Sequence, residues 1–347
     1  MMRIAIVNDM PLAIAVLRRV VESVPGYRVA WVALDGEAAV RQMAVDRPDL
    51  ILMDLVMPIM DGAEATRRIM AKSPCPILIV TASVRTNHAK VYEALSAGGL
   101  DAVRTPSLGP NNSLVDAEPL LARLAKVAES RQPVGRTSTG LSSLIPSLGN
   151  SHLTGQPMLA IGASTGGPDA VAKILRAIGP TAPGPIVVVQ HIAAAFASGF
   201  ADWLGARIGL PTQAIRSGDH LDRGRVYIAA SDDHLVITGR RTVAYTPDPM
   251  AYPYRPSVDV FFQSARVNWP DGGVAVLLTG MGSDGASGLL GLRQAGWHTI
   301  AQDQASSVVY GMPKAAADLG AAIDVLGLAG ISAAIRAKWK VTTSGSA

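Results

Sequence analysis

The sequence predicts an α/β protein of two domains, each built on a parallel sheet. Short β-branched runs alternate with amphipathic helical patterns in both halves of the chain, and a stretch rich in Ser, Thr, Gly and Pro interrupts them. Length agrees, because 347 residues exceed what one core usually serves at about 150 residues per domain.

In the first half the strand-like runs are "RIAIV", "YRVAWVA", "DLILMDL", "PILIVTA" and "DAVRTP", each followed or separated by a helical pattern. Such alternation argues for parallel strands with helices over both faces. "AEPLLARLAKVAES" is a further helix and closes this unit near residue 130. Residues 131–156 lack sustained periodicity and read as a linker. Alternation resumes over residues 157–340 with "MLAIGAS", "GPIVVVQHI", "RVYIAA", "HLVIT", "GGVAVLLTG", "HTIAQD" and "AAIDVLGL". Several of these are near-continuous apolar runs, as strands buried on both faces require. "RVYIAASDDHLVIT" holds two runs about a polar turn, which predicts a hairpin and a second sheet that is mixed but mostly parallel. The closing "VTTSGSA" reads as a frayed tail.

Composition excludes several function classes. Although 49% of residues are hydrophobic, the apolar runs are broken by Gly, Pro or charge before reaching the roughly 20 residues of a membrane helix. "LGAAIDVLGLAGISAAI", the most tempting, carries Asp324 and internal glycines and reads as a strand and a helix. The opening "MMRIAIVND" runs straight into a strand, which predicts no secretory signal. Cys75 is the single cysteine, so no intramolecular disulfide forms, and a cytoplasmic location is expected. The net charge of +4 comes from 31 basic and 27 acidic residues spread along the chain, without a nucleic-acid footprint. A DNA-binding output is disfavoured too, since the second half lacks a compact basic helix-turn-helix.

In an open parallel sheet the functional crevice lies beyond the carboxyl ends of the strands. In the first domain those ends carry Asn8 and Asp9, Asp54, Thr81, and Thr105 with Pro106. A lone strand-end Asp more often caps the next helix, but two converging carboxylates repel unless a hard cation such as Mg²⁺ sits between them. Beside such an ion Asp54 is a candidate phosphoryl acceptor. The set "VND…LMDLVMPIMDG…VTA…TP" resembles a response-regulator receiver domain over residues 3–130. That resemblance implies a flavodoxin-like (βα)5 unit phosphorylated at Asp54, with Mg²⁺ held by Asp9, Asp54 and the backbone carbonyl of Val56, and with Thr81 as the switch hydroxyl. The chain departs from the pattern twice: Asn8 replaces one of a pair of acids, and Thr105 stands where a lysine is usual, with Arg104 just before it.

In the second domain "LAIGASTGGP" contains G-x-S-x-G, a pattern whose glycines permit a sharp strand-to-helix turn that presents the serine. The pattern is common by chance and ordinary turn material explains it equally well. Context raises the functional reading, because "MLAI" supplies the strand and "GGPDAVAKILRAI" the helix, with Pro168 in its first turn. Ser164 needs a base, and His191 ends the next strand, on the same edge of a parallel sheet. The base needs an orienting acid, and Asp284 lies in the glycine-rich turn of "LLTGMGSDGASGLL". A phosphate cradle there is disfavoured by the missing Walker lysine and by Asp284 itself. His220, His234 and His298 receive no chemistry, and Arg255 and Met312 read as packing.

The combination "IGASTGGP…VVVQHI…YRPSVDVFF…LLTGMGSDGA…AQD…SSVVYGMP" resembles the catalytic domain of the chemoreceptor methylesterases, the CheB family, over about residues 157–335. "RIAIVNDMPLAIAVLRRVV" further resembles the WspF-type branch. The resemblance implies hydrolysis of glutamyl methyl esters on chemoreceptors, with glutamine deamidation as a common second activity. It implies Ser164 as nucleophile, His191 as base and Asp284 as its orienter, with backbone amides near Thr165 and the Met281 loop stabilising the oxyanion. No cofactor is implied for ester hydrolysis. The partners implied are methyl-accepting chemoreceptors and a CheA-type histidine kinase, with no nucleic acid and no direct membrane insertion. A phosphorylation-controlled esterase is therefore expected, the alternative being a non-catalytic adaptor that would survive Ser164→Ala.

Overall fold

The computed structural model describes residues 1–82, 88–129, 155–180, 182–239, 241–250, 252 and 254–343. The chain divides into two compact units, Met1–Glu129 and Ser130–Ala347. Most of the expected linker and the last residues of the tail lie outside the described residues.

The first unit runs β1 (Met2–Val7), α1 (Pro11–Glu22), β2 (Tyr27–Ala33), α2 (Gly36–Val45), β3 (Leu50–Met53), α3 (Gly62–Lys72), β4 (Ile77–Thr81), α4 (His88–Ser96) and β5 (Asp101–Arg104). The short strands β6 (Ser107–Leu108) and β7 (Leu114–Val115) then lead to α5 (Glu118–Glu129). Its five-stranded sheet has the order β2-β1-β3-β4-β5, with parallel pairing throughout. This is the flavodoxin-like order, whose switch point falls between β1 and β3. Ile4, Ile6, Leu50, Leu52, Leu78 and Val80 face α1 and α5 in one core, while the alternate residues Ala5, Ile51 and Ile79 are buried on the other face. Helices α2 and α3 begin at Asp35 and Asp61, whose side chains accept the N–H groups of Ala38 and Glu64.

The second unit runs β8 (Met158–Ala163), α6 (Gly167–Ile178), β9 (Ile186–Gln190), α7 (Ala194–Ile208), β10 (Thr212–Ala214) and β11 (Val226–Ile228). It continues with β12 (His234–Gly239), β13 (Thr242–Thr246), α8 (Val258–Asn268), β14 (Gly273–Leu277), α9 (Ala286–Gln294), β15 (His298–Gln302), α10 (Met312–Asp318), β16 (Asp324–Leu326) and α11 (Leu328–Thr343). Seven strands form one sheet in the order β10-β11-β9-β8-β14-β15-β16, and every neighbouring pair is parallel. The strand order reverses at β8 and β14, so the crevice opens at their carboxyl ends.

The expected hairpin is corrected here. The run 226–228 joins the parallel sheet, and 234–239 pairs instead with Thr242–Thr246 in a separate antiparallel hairpin. Gly239 and Arg241, both at positive φ, make the reversal between those two strands. The first run is tied down elsewhere, since Tyr245 Oη accepts the N–H of Ala230 at 2.6 Å and donates to the carbonyl of Ile215 at 3.2 Å. The hairpin leans on α8, where Ser264 Oγ accepts the Ile237 N–H and Asn268 donates to the Ile237 carbonyl.

At the start of the described part of this unit, Gln156 is latched to the body. Its N–H reaches Asp271 Oδ2 at 3.2 Å, its carbonyl accepts Trp269 Nε1–H at 3.1 Å, and its side chain takes Arg241, which also pairs with Asp271 at 3.0 Å. Among the described residues no helix is long and apolar enough to cross a membrane.

Candidate functional site

Ser164 sits in the turn between β8 and α6. Gly166, at φ 77°, turns the chain there, and Pro168 lies in the first turn of the helix. Gly162 is glycine for space: a Cβ on it would come within 2.3 Å of Val258, so a side chain would push α8 off the sheet. The backbone of Ser164 is pinned, its N–H to the Thr279 carbonyl at 3.0 Å and its carbonyl by Gln190 Nε2 at 2.8 Å.

β8 and β9 pair Ala163 with Gln190, which sets Ser164 and His191 side by side one residue further on. The imidazole is largely buried, and Nε2 lies 2.7 Å from Asp284 Oδ2. Nδ1 is buried and has no hydrogen-bond partner among the described residues. An ionised Asp284 requires the proton on Nε2, which leaves the Nδ1 lone pair free to act as base. Ser164 Oγ makes no hydrogen bond to the ring among the described residues. Contacts of this kind are often long before substrate binds and tighten in the Michaelis complex.

Asp284 is built in with unusual completeness. Oδ1 accepts Ser257 Oγ–H at 2.7 Å and the Asp259 N–H at 3.1 Å, and Oδ2 accepts the Val258 N–H at 2.7 Å. The carboxylate therefore sits on the N-terminus of α8, where free N–H groups and the helix dipole favour negative charge. Burial pushes its pKa up, yet the hydrogen bond and charge of His191, Ser257 and the Val258 N–H outweigh this and hold it below the ordinary value. The two helices exchange carboxylates: Asp259, in the first turn of α8, accepts the N–H of Gly288 in α9 at 2.6 Å. Burial and the neighbouring charge of Asp284 push Asp259 up to about 6, despite N–H donors from α9.

The Met281 loop follows β14 and closes beside the serine. A Cβ on Gly280 would lie 2.7 Å from Ser164 Cβ and 2.3 Å from Met312 Sδ, so glycine alone allows the approach. Thr165 is buried, its carbonyl accepting from Thr279 Oγ1 at 2.9 Å. The N–H groups of Thr165 and Met281 make no hydrogen bond among the described residues. Met312 packs behind this loop, and Arg255 donates to the Met250 carbonyl within its own segment.

Several participants went unnoticed in the sequence. Ser257, Gln190 and Thr279 hold the acid and the serine in place. Tyr254 stacks on His191 with ring centroids 4.4 Å apart and planes 2° from parallel. His234, given no chemistry, is fully buried, and its Nδ1 accepts the Ser257 N–H at 3.1 Å. The one signal in the sequence for this cluster is Ser257 ahead of the α8 pattern, a preferred N-cap residue whose side chain accepts the Val260 N–H. His220 pairs loosely with Asp222 at the surface and His298 with Asp324 at the far end of the sheet.

In the first unit Asp54 follows β3, and its Oδ1 accepts the Leu55 N–H at 2.7 Å. Asn8, buried at the end of β1, donates from Nδ2 to Asp54 Oδ2 at 3.0 Å. Burial raises the Asp54 pKa and the charge of Asp9 raises it further, against the N–H groups of Leu55 and Val56. Thr81 is buried at the end of β4, and its carbonyl accepts the Thr105 N–H at 3.0 Å. Arg104 is exposed on β5, opposite Thr81 in register.

Comparison with known proteins agrees with both units. The family described as CheB methylesterase matches residues 159–335, and that described as Response regulator receiver domain matches residues 4–110. A relative from Mesorhizobium japonicum (strain LMG 29417 / CECT 9101 / MAFF 303099), named protein-glutamate methylesterase/protein-glutamine glutaminase, is 50% identical over 96% of this chain and 98% of its own. One from Burkholderia orbicola (strain AU 1054), with the same name and the number 3, is 49% identical over 99% of both chains. The solved catalytic domain of Thermotoga maritima CheB methylesterase is 31% identical over 53% of this chain and 99% of that one, with a TM-score of 0.48. These names do not separate the WspF-type branch from the rest. The chain belongs to the CheB methylesterase family, with a response-regulator receiver domain preceding its esterase domain.

Proposed function

We propose that this chain hydrolyses glutamyl methyl esters on methyl-accepting chemoreceptors, and deamidates receptor glutamines, under control of phosphorylation at Asp54. The observation that carries the reading is the 2.7 Å contact of His191 Nε2 with a buried, helix-capped Asp284, beside a serine on the neighbouring strand end. His191 Nδ1 takes the proton as Ser164 Oγ attacks the ester carbonyl. The N–H groups of Thr165 and Met281 receive the oxyanion, and the protonated imidazole hands its proton to the departing methoxide, releasing methanol. Water then attacks the acyl-enzyme with His191 again as base, which frees the glutamate carboxylate and restores Ser164. With a glutamine substrate the same steps release ammonia.

The repulsion between Asp9 and Asp54 supports a divalent cation between them, and the family resemblance adds the Val56 carbonyl as a neutral oxygen ligand. Mg²⁺ bound there would neutralise charge on an incoming phosphoryl group. Asp54 is the acceptor, Asn8 holds one of its oxygens, and Thr81 is the hydroxyl that responds. A CheA-type histidine kinase is the donor proposed, and the setting is the cytoplasm. The test is methanol release from methylated receptor by the whole chain and by Ser164→Ala, with and without a small phosphodonor. Loss of release in the variant and stimulation of the wild type are expected; unchanged release by Ser164→Ala would overturn the reading.

A further inference from the structure

We infer that Tyr254 is a positioning residue for the base, its ring stabilising the imidazolium that His191 becomes as Ser164 loses its proton. The inference rests on the catalytic reading above. Asp284 grips the imidazole by one edge, through Nε2, and an edge contact leaves the ring free to pivot about that hydrogen bond. A second ring lying 4.4 Å away and within 2° of parallel removes the pivot. The same ring presents the negative face of its quadrupole to whatever charge the imidazole acquires, an attraction that grows when water is excluded. His191 is largely buried, so that exclusion holds.

Tyr254 also bridges two parts of the site. It enters from the segment joining the β12–β13 hairpin to α8, and its Oη lies 3.6 Å from where a Cβ on Gly282 would stand. One side chain therefore touches the base and borders the loop offering the Met281 N–H. Among the described residues the charged group in contact with His191 is Asp284 at Nε2, while Asp232 accepts the N–H of Ala194, three residues along the chain, at 3.2 Å. Behind Asp284 lie Asp259 and His234, both within its electrostatic reach.

The experiment is a pH-rate profile of methanol release by the whole chain, for wild type, Tyr254→Leu and Tyr254→Phe. Tyr254→Leu is expected to lower kcat about tenfold with KM changed less than about twofold, and to move the acid limb of kcat/KM down by about 0.5–1 pH unit. Tyr254→Phe keeps the π face and is expected to recover most of the lost rate and return the limb. A slower Tyr254→Leu whose acid limb stays put, or one whose loss is all in KM, would make Tyr254 a wall of the groove and overturn the inference. Ser164→Ala run alongside separates the two levels: activity surviving there sinks the triad, whereas an unmoved limb in Tyr254→Leu sinks only the role of the ring.

Discussion

Asp54 and Asp284 occupy equivalent places, each beyond the carboxyl end of a parallel strand at the point where a doubly wound sheet reverses. Their surroundings push them in opposite directions. Burial and the charge of Asp9 lift Asp54, whereas at Asp284 the hydrogen bonds of His191, Ser257 and the first N–H groups of α8 more than offset burial. Topology thus delivers a carboxylate to a crevice, and the donors that meet it decide its job. A carboxylate whose donors outweigh its burial stays charged and can orient an imidazole; one whose donors are outweighed by burial and a like charge is held nearer its neutral form.

That contrast can be broken from either side. The largest effect is expected from Ser164→Ala, a loss of at least ~10⁴-fold in methanol release while labelling of Asp54 by a small phosphodonor is unchanged. If labelling fell as well, the two crevices would not be chemically independent. Asp284→Asn keeps the shape but not the charge, and kcat is expected to drop about 10³–10⁴-fold in single-turnover assays. A loss of less than about tenfold would mean that the helix N-terminus, and not the charge, orients His191.

How far the sequence alone reaches follows from where each piece lies. The central strands of both sheets were legible, because runs such as Leu159 to Ile161 and Ile186 to Val189 are apolar on both faces and fully buried. So was the convergence of Ser164, His191 and Asp284 on one edge, since each directly follows a strand or sits in the turn after it. The partners of Asp284 were not legible. Ser257 and Asp259 begin a helix, and Tyr254 and His234 belong to a hairpin region, so only packing across the sheet edge reveals what they touch. The short strands β10 and β13 escaped for a related reason: Thr212–Ala214 and Thr242–Thr246 are half-buried and polar, without the apolar run that marks a central strand.

Two smaller effects sharpen the comparison. Asp259 repeats the Asp54 situation inside the esterase unit, since its folded pKa of about 6 lies above the ordinary value. The folded state binds that proton more tightly, so Asp259 makes stability fall as pH rises from about 4 to about 6, with no further change above. Asp259→Asn is expected to flatten that slope and to stabilise the esterase unit by up to ~3 kcal/mol at neutral pH, read by denaturant titration at both ends of the window. An unchanged slope would place the strain elsewhere. Asn8→Asp adds a charge beside Asp54 and removes a donor from it. Mg²⁺ affinity measured by calorimetry on the whole chain should rise about thirtyfold, from the ~2 kcal/mol by which a unit negative charge ~4 Å from a divalent cation is favoured in water. Unaltered affinity would mean that Asn8 does not tune the acceptor site.

The latch at Gln156 sets where the esterase can be cut free. Protein begun at Gly155 retains the grip of Asp271, Trp269 and Arg241 on Gln156, whereas one begun at Met158 loses that grip and leaves the Arg241 guanidinium short of a partner. Tension on the preceding chain is accordingly borne by those three side chains before it reaches the strand that carries the nucleophile.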